Sequence, residues 1–229
     1  MKSKSLKFIL IFFVFISIIG TIIKTNVTKE HIITKNNNVF IPLNKSNPLK
    51  KQQLEKSEIE KQKQIKQENL EKKWKIGYDQ FFKKNYKEAI LTEQQVIKED
   101  PKFYKAYAVY GIALAYSGDF NNGMKQIDEA LRLKPNYGYA RFNKALANEL
   151  YEHYEEAIKW YKKDLEVETF EWSYYGIASI YGRKSDIKNT IKYLKLSINI
   201  NPNIKIAAKE EEDFDNVRNS MEFKQLMKE

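Results

Sequence analysis

The stretch Tyr104–Pro135, which reads YKAYAVYGIALAYSGDFNNGMKQIDEALRLKP, decides the fold. It holds two amphipathic runs, and each run has a small residue, Gly111 in the first and Gly123 twelve residues later in the second. Apolar residues recur at steps of three and four, which favours a helix with one buried stripe. Gly118-Asp119 supplies a turn between the runs, and Pro135 ends the second one. The stretch therefore predicts a hairpin of two helices.

The same pattern occurs four times in the chain. The second small residues of the copies are Ala89, Gly123, Ala157 and Thr190. They are spaced by 34, 34 and 33 residues, and three of the four copies close on a proline. A single hairpin cannot bury both of its faces, so a fixed period in this range is typical of stacked helical hairpins.

These copies resemble tetratricopeptide repeats in their period, in the Gly or Ala of the first helix, in the Tyr-x-x-Ala of the first and third copies, and in the closing proline. Gly123 and Thr190 depart from the usual alanine of the second helix, and Thr169 stands where the third copy would have proline. The resemblance implies an all-α, right-handed superhelical array. Its four hairpins would be residues 70–103, 104–137, 138–170 and 171–203. Residues 204–229 are expected to cap the last hairpin.

Residues 1–24 form a basic leader and an apolar segment. Lysines precede an uncharged stretch from Phe8 to Ile23, and Lys24 follows it. As a helix this stretch would span about 24 Å, against a hydrocarbon core of about 30 Å, and the flanking lysines could snorkel. We expect an uncleaved signal anchor. A cleaved signal peptide and a buried helix of a soluble fold remain alternatives. In the first two cases residues 25–229 are extracytoplasmic, either anchored to the membrane or secreted.

Residues 25–69 are expected to connect this segment to the repeats as a polar linker followed by a charged helical stalk. From Lys51 to Lys73 the chain is rich in Lys, Gln and Glu, which favours a solvated helix. Its few apolar residues, such as Leu54, Ile59 and Ile65, stand five or six positions apart and make no heptad seam. The basic excess could also contact an anionic surface.

The charge of the chain is unevenly distributed. The net charge is +10, and residues 1–75 supply all of it with 16 Lys and 6 Glu, whereas residues 76–229 carry 24 basic and 24 acidic side chains. A neutral array does not favour nucleic acid, since phosphate binding needs clustered cations on the binding domain. The chain has no cysteine, which excludes disulfides and thiol chemistry.

The sequence offers little for catalysis. The two histidines, His31 and His153, fall in the linker and before a hairpin turn. There is no Gly-rich phosphate loop, metal-ligand spacing or nucleophile arrangement. The runs Glu155-Glu156 and 210–212 are interpreted as solvated. We expect no enzyme activity, no cofactor, no metal and no small-molecule substrate.

The resemblance implies that the first helix of each hairpin lines a concave surface. The inward residues would be Trp74, Tyr78, Phe82, Lys105, Ile112, Tyr116, Tyr139, Phe142, Glu149, Trp172, Tyr175 and Arg183. Aromatic side chains dominate the set, which suits a protein or peptide partner, although several could instead be core residues between helices. Trp74 and Tyr78 replace the basic and Asn residues of repeats that clamp a carboxylate, so such a clamp is not expected. The expected function is a protein-interaction scaffold at the cell envelope; the alternative is a structural or spacer protein that acts through its outer faces or self-association.

Overall fold

The computed structural model describes residues 48–228, and all secondary structure in this part of the chain is helical. The predicted anchor or signal segment, and the linker up to residue 47, lie outside the described residues. Among the helices from Pro48 onward, none combines the length and apolar character needed to cross a bilayer.

The helices form four consecutive hairpins and a C-terminal extension. In chain order they are α1 (Pro48–Phe82), α2 (Tyr86–Glu99), α3 (Tyr104–Tyr116), α4 (Phe120–Leu133), α5 (Gly138–Leu150), α6 (Tyr154–Leu165), α7 (Glu171–Arg183), α8 (Ile187–Ile200), α9 (Ile204–Glu210), α10 (Asp215–Arg218) and α11 (Met221–Lys228). The first helix of each hairpin packs on its own second helix and on the first helix of the next hairpin. The predicted all-α fold of stacked hairpins is therefore confirmed.

The turns inside the four hairpins share one backbone conformation. Lys84, Gly118, Glu152 and Ser185 have φ angles of 64°, 101°, 64° and 58°. They follow the 34, 34 and 33 residue spacing of the repeat. A left-handed residue after the first helix reverses the chain, and glycine adopts this conformation at the lowest cost. In the second and fourth hairpins the helix that follows is capped, because Asp119 and Asp186 accept hydrogen bonds from the backbone N–H groups of Asn122 and Asn189.

Two glycines set the separation of α3 and α4. A Cβ atom added to Gly111 would lie 2.6 Å from the carbonyl oxygen of Gly123, and a Cβ on Gly123 would lie 2.6 Å from the carbonyl oxygen of Gly111. The two backbones therefore touch where a side chain on either helix would keep them apart. This reciprocal contact explains why glycine replaces the usual alanine at position 123.

We expect Gly111→Ala to destabilise the protein by about 1–3 kcal/mol, because the added methyl group meets backbone atoms that cannot rotate away. The matched control is Gly77→Ala, one repeat earlier, where the added atom meets the end of the Glu93 side chain, which has rotatable bonds. Both changes gain similar helix propensity, so their difference isolates the clash. Urea unfolding monitored by circular dichroism measures it, and equal stability of the two variants would contradict this explanation.

The C-terminal extension packs against the last hairpin. A 3₁₀ turn at Glu212–Phe214 lies on α7, and α11 lies on α8. Phe214, Phe223 and Leu226 are buried there. At the opposite end of the array, α1 continues N-terminally beyond the first hairpin, and its side chains from Gln52 to Asn69 are exposed.

Candidate functional site

The structure divides the predicted inward residues into two groups. Seven are buried, at most 9% exposed: Tyr78, Phe82, Ile112, Phe142, Glu149, Trp172 and Tyr175. Five are partly exposed: Trp74, Lys105, Tyr116, Tyr139 and Arg183. The first group belongs to the core of the array and leaves little surface for a partner, in keeping with the alternative that several of the twelve are core residues between helices.

The burial arises because the first and third hairpins meet. The ring of Tyr78 on α1 lies 5.7 Å from the ring of Tyr139 on α5, although the second hairpin separates them in sequence. Tyr78 also packs against Trp74 and Phe82 at centroid distances of 5.4 and 4.6 Å. The inner face of these three hairpins is therefore filled by the chain's own aromatic side chains.

One edge of this face remains accessible, and we call it the aromatic rim: Trp74, Tyr104, Lys105, Tyr137 and Tyr139. All five side chains are partly exposed. Tyr137 packs edge-on against Tyr104 at 4.8 Å and lies 6.0 Å from Tyr139. The Lys105 ammonium group is 5.0 Å from the centre of the Trp74 ring. The rim thus joins three hairpins into one aromatic surface with a single cation.

Sequence reasoning missed Tyr104 and Tyr137. Both lie at the junctions where one hairpin passes to the next, Tyr104 as the first residue of α3 and Tyr137 immediately before α5. Tyr137 lies outside a helix, where the helical phase used to select inward residues does not apply, and Tyr104 lies at the start of α3, one position before the selected Lys105. The signal in the sequence that could have found them is their spacing of 33 residues, which is close to one repeat period.

The rim cation and the rim hydroxyl groups are held by their surroundings. Lys105 donates to Glu71 of α1 at 2.7 Å, which ties the second hairpin to the first. Burial raises the pKa of Tyr137 and of Tyr139, and each is raised further by the neighbouring tyrosines or carboxylates. These hydroxyl groups stay protonated and supply no base, and the Tyr139 hydroxyl oxygen is itself buried, so it is closed to a partner.

Glu93 of α2 is an unexpected carboxyl group behind the rim. It is fully buried against Gly77 of α1, and neither of its carboxyl oxygens has a hydrogen-bond partner among residues 48–228. Burial raises its pKa to about 10. The side chain is therefore a neutral acid at physiological pH and is unsuited to act as a base or a cation ligand.

A second polar cluster joins the fourth hairpin to the C-terminal extension. Arg183 of α7 donates through Nε and Nη2 to the Asp213 carboxylate at 2.6 and 3.0 Å. Its Nη1 donates to the Tyr154 hydroxyl at 3.2 Å. Arg183 thus holds the extension against the array.

Glu149 of α5 belongs to the same cluster. It accepts hydrogen bonds from Tyr161 at 2.6 Å and from Ser179 at 3.2 Å, and it lies 3.7 Å from Arg183. The Ser179 hydroxyl also lies within hydrogen-bond distance of Asp213, so its single proton is shared between the two carboxylates. The cluster therefore links the third hairpin, the fourth hairpin and the extension, and Glu149 is a buried structural acid rather than a contact residue.

The acidic runs differ in their environment. Glu155 and Glu156 are exposed, as expected, and so are Glu210 and Glu212. Glu211 is only 1% exposed, which corrects its interpretation as solvated. The reason is local, because Arg218 donates to the backbone carbonyl of Glu211 and turns this segment toward the array.

The two histidines lie in different parts of the chain. His153 is exposed and lies at the edge of the Phe120 ring, whereas His31 falls outside the described residues. Within residues 48–228, no three acidic or histidine side chains are grouped in a way that could hold a metal ion.

Comparison with known proteins gives the following matches. Residues 173–204 match the family model described as tetratricopeptide repeat. No curated protein matches the sequence. The structure is similar to that of PilF from Pseudomonas aeruginosa, with a TM-score of 0.60, 14% identity, and coverage of 70% of this chain and 74% of PilF.

The structure is also similar to two structures of MamA. The first has a TM-score of 0.51 and 18% identity, over 70% of this chain and 85% of MamA. The other, a double mutant of MamA RS-1, has a TM-score of 0.53 and 18% identity, over 69% and 89%. At this identity the likeness concerns the fold alone. Residues 173–204 are thus similar to a tetratricopeptide repeat, and the described part of the chain shares the stacked helical-hairpin fold of these solved structures.

Proposed function

We propose that this protein is a non-catalytic scaffold that binds a protein or peptide segment at the cell envelope. Arrays of this fold are commonly protein-interaction scaffolds, because stacked hairpins expose extended surfaces. The aromatic rim is the observation that carries the proposal. It offers large, rigid aromatic side chains beside a lysine that is paired with Glu71, which suits a polypeptide segment that packs against aromatic surface.

The proposed location depends on residues 1–24. Their basic leader and apolar stretch support a signal anchor that leaves residues 25–229 outside the cytoplasm, with secretion after cleavage as the alternative. N-terminal sequencing of the native protein distinguishes the two, since cleavage would remove the apolar stretch. An anchor would confine the array near the membrane and raise its local concentration.

The rim is tested by the double variant Tyr104→Ala/Tyr137→Ala. Both rings are partly exposed and pack on each other, so we expect a loss of more than about tenfold in partner capture. The unfolding temperature should fall no further than in the control variant below. The measurement is cross-linking of the full-length protein in its own membranes, followed by affinity capture and quantitative mass spectrometry. Phe142 and Trp172 are unsuitable targets, because their burial would confuse binding with stability.

The matched control is Tyr181→Ala/Tyr193→Ala. These tyrosines also form a partly exposed pair, with stacked rings 5.9 Å apart, but they lie on the fourth hairpin away from the rim. The control should retain the partner. Equal recovery of the same partner by the rim variant and the wild-type protein would overturn the rim as the binding surface.

A further inference from the structure

Three exposed apolar side chains form a line along α1, which we call the α1 stripe: Leu54, Ile65 and Ile76. They are 63%, 49% and 55% exposed. Eleven residues make slightly more than three helical turns, so the three side chains fall within about 40° of one another around the helix. Ile59 is equally exposed, at 58%, but points about 140° away from Leu54. The stripe therefore lies on one face of α1 and runs nearly parallel to the helix axis.

The period of the stripe limits what can cover it. A left-handed coiled coil needs apolar residues every 3.5 positions, which α1 lacks. An eleven-residue period instead suits a partner helix that lies nearly straight along α1 or winds slightly to the right. From Leu54 to Ile76 this contact line is about 33 Å long.

The charges beside the stripe are arranged symmetrically about Ile65. Glu58 stands seven residues before Ile65 and Lys72 seven residues after it. Lys61 stands four residues before, and Glu68 three residues after. All four side chains are exposed, and they lie on the same side of the helix as the stripe.

This arrangement is complementary to itself in one orientation. If a second α1 helix crosses antiparallel at Ile65, Leu54 faces Ile76 of the other copy. The acid Glu58 then faces Lys72, and Lys61 faces Glu68. In a parallel pair in register, Glu58 would face Glu58 and Lys72 would face Lys72, which is repulsive.

A groove lies beside the middle of the stripe. The groove, of about 560 Å³, lies where the end of α2 meets α1, and Ile65, Asn69, Lys72 and Glu99 contribute to its lining. Ile65 of the stripe and Lys72 beside it thus also line the groove.

We propose that the α1 stripe is the contact between two copies of this chain, packed antiparallel about a two-fold axis at Ile65. A two-fold contact uses the same surface on both copies, as the symmetric charges require. Three apolar residues per copy make a small interface, so the dimer is weak and forms at high local concentration. The aromatic rim plays no part in this contact, and the proposal stands independently of the function proposed for the rim.

Cysteine cross-linking of the full-length protein tests the orientation, because the native chain has no cysteine. We expect Ile65→Cys to form a disulfide-linked dimer on mild oxidation. Leu54→Cys and Ile76→Cys should cross-link when mixed and not alone. Ile59→Cys is the matched control and should give a several-fold lower yield than Ile65→Cys. The proposal fails if Ile65→Cys does not exceed this control, or if Leu54→Cys alone cross-links as well as Ile65→Cys.

Charge exchange provides a second test on the background of Ile65→Cys. Glu58→Lys turns two attractive pairs of the dimer into repulsive ones, so the concentration needed for half-maximal cross-linking should rise about tenfold. Adding Lys72→Glu should restore the original value, because the pairs are then opposite in sign again. A double variant that cross-links as poorly as Glu58→Lys would overturn the antiparallel register.

Discussion

Replacing Arg183 by alanine is expected to lower the free energy of unfolding by about 3–5 kcal/mol. Asp213 would be left in a site where its side chain is only 3% exposed, without the paired hydrogen bonds that it accepts from Arg183. Glu149, equally buried, would lose the neighbouring cation. Uncompensated buried charge is among the most destabilising results of a single substitution. The C-terminal extension should therefore loosen from the fourth hairpin.

The next residue along the chain supplies the control. Lys184 pairs with Glu155 at 2.6 Å, but these side chains are 40% and 84% exposed. Lys184→Ala should cost far less than Arg183→Ala, because exposed ion pairs contribute little. Urea unfolding of both variants measures the difference, and Asp213→Ala combined with Arg183→Ala should be less destabilised than the sum of the single changes. An Arg183→Ala variant as stable as Lys184→Ala would refute a structural role for the cluster.

Replacing Glu93 by leucine is expected to stabilise the protein by about 3 kcal/mol at pH 7. Burial raises the pKa of Glu93 to about 10 in the folded protein, whereas an unfolded chain releases this proton near its ordinary value of 4.5. Folding at pH 7 must therefore retain a proton that the unfolded state gives up. Leucine removes this cost and fills the site with an apolar side chain.

The dependence on pH gives the sharper measurement. The protonated Glu93 side chain makes its full contribution to the free energy of unfolding below about pH 4.5. This contribution falls by about 1.4 kcal/mol per pH unit as the pH rises from there toward 10. Asp164, whose pKa burial raises to about 8, adds a slope of the same sign in every variant. The test is thus the difference between wild-type and variant, from urea unfolding at pH 5, 7 and 9.

Glu93→Gln is the control that removes the titration while keeping a polar group of the same shape. It should flatten the pH dependence as much as leucine does, with a smaller gain in stability. A leucine variant with the same slope as the wild-type protein would show that Glu93 is ionised in the folded state.

The repeat period predicted most of the fold, and it contained more than was first read from it. Glu93 stands 34 residues before Ile127, which in turn precedes Tyr161 by 34 and Leu194 by 33. All three of these equivalents are buried. Aligning the copies by period would therefore have identified Glu93 as a buried acid, which composition and local charge do not reveal.

The closure of the inner face could not be predicted in the same way. Whether Tyr78 and Tyr139 touch depends on the small rotation from one hairpin to the next, added over two steps. That rotation results from the packing of many side chains and is not expressed by any one position. The sequence consequently identified inward residues but not which of them the array would bury.

The pairing of Arg183 with Asp213 was beyond the sequence for another reason. The two residues lie 30 positions apart, and their contact requires the chain to fold back after α8. A run of acids before Asp213 looks solvated when read alone. Only the path of the extension places one acid against α7 and leaves its neighbours exposed.

The uninterrupted course of α1 couples two properties of the array, its distance along the helix axis and its rotation about that axis. One helix runs from Pro48 to Phe82, so its exposed part and its part in the first hairpin share one axis and one helical twist. Each residue inserted between residues 52 and 69 would move the array about 1.5 Å along the helix axis and rotate it by about 100° about that axis. Seven inserted residues would nearly restore the direction in which the array faces, whereas two would almost reverse that direction. The number of residues in this segment therefore sets both the reach of the array and the direction it faces, and only insertions close to whole helical turns change the reach while leaving the direction nearly the same.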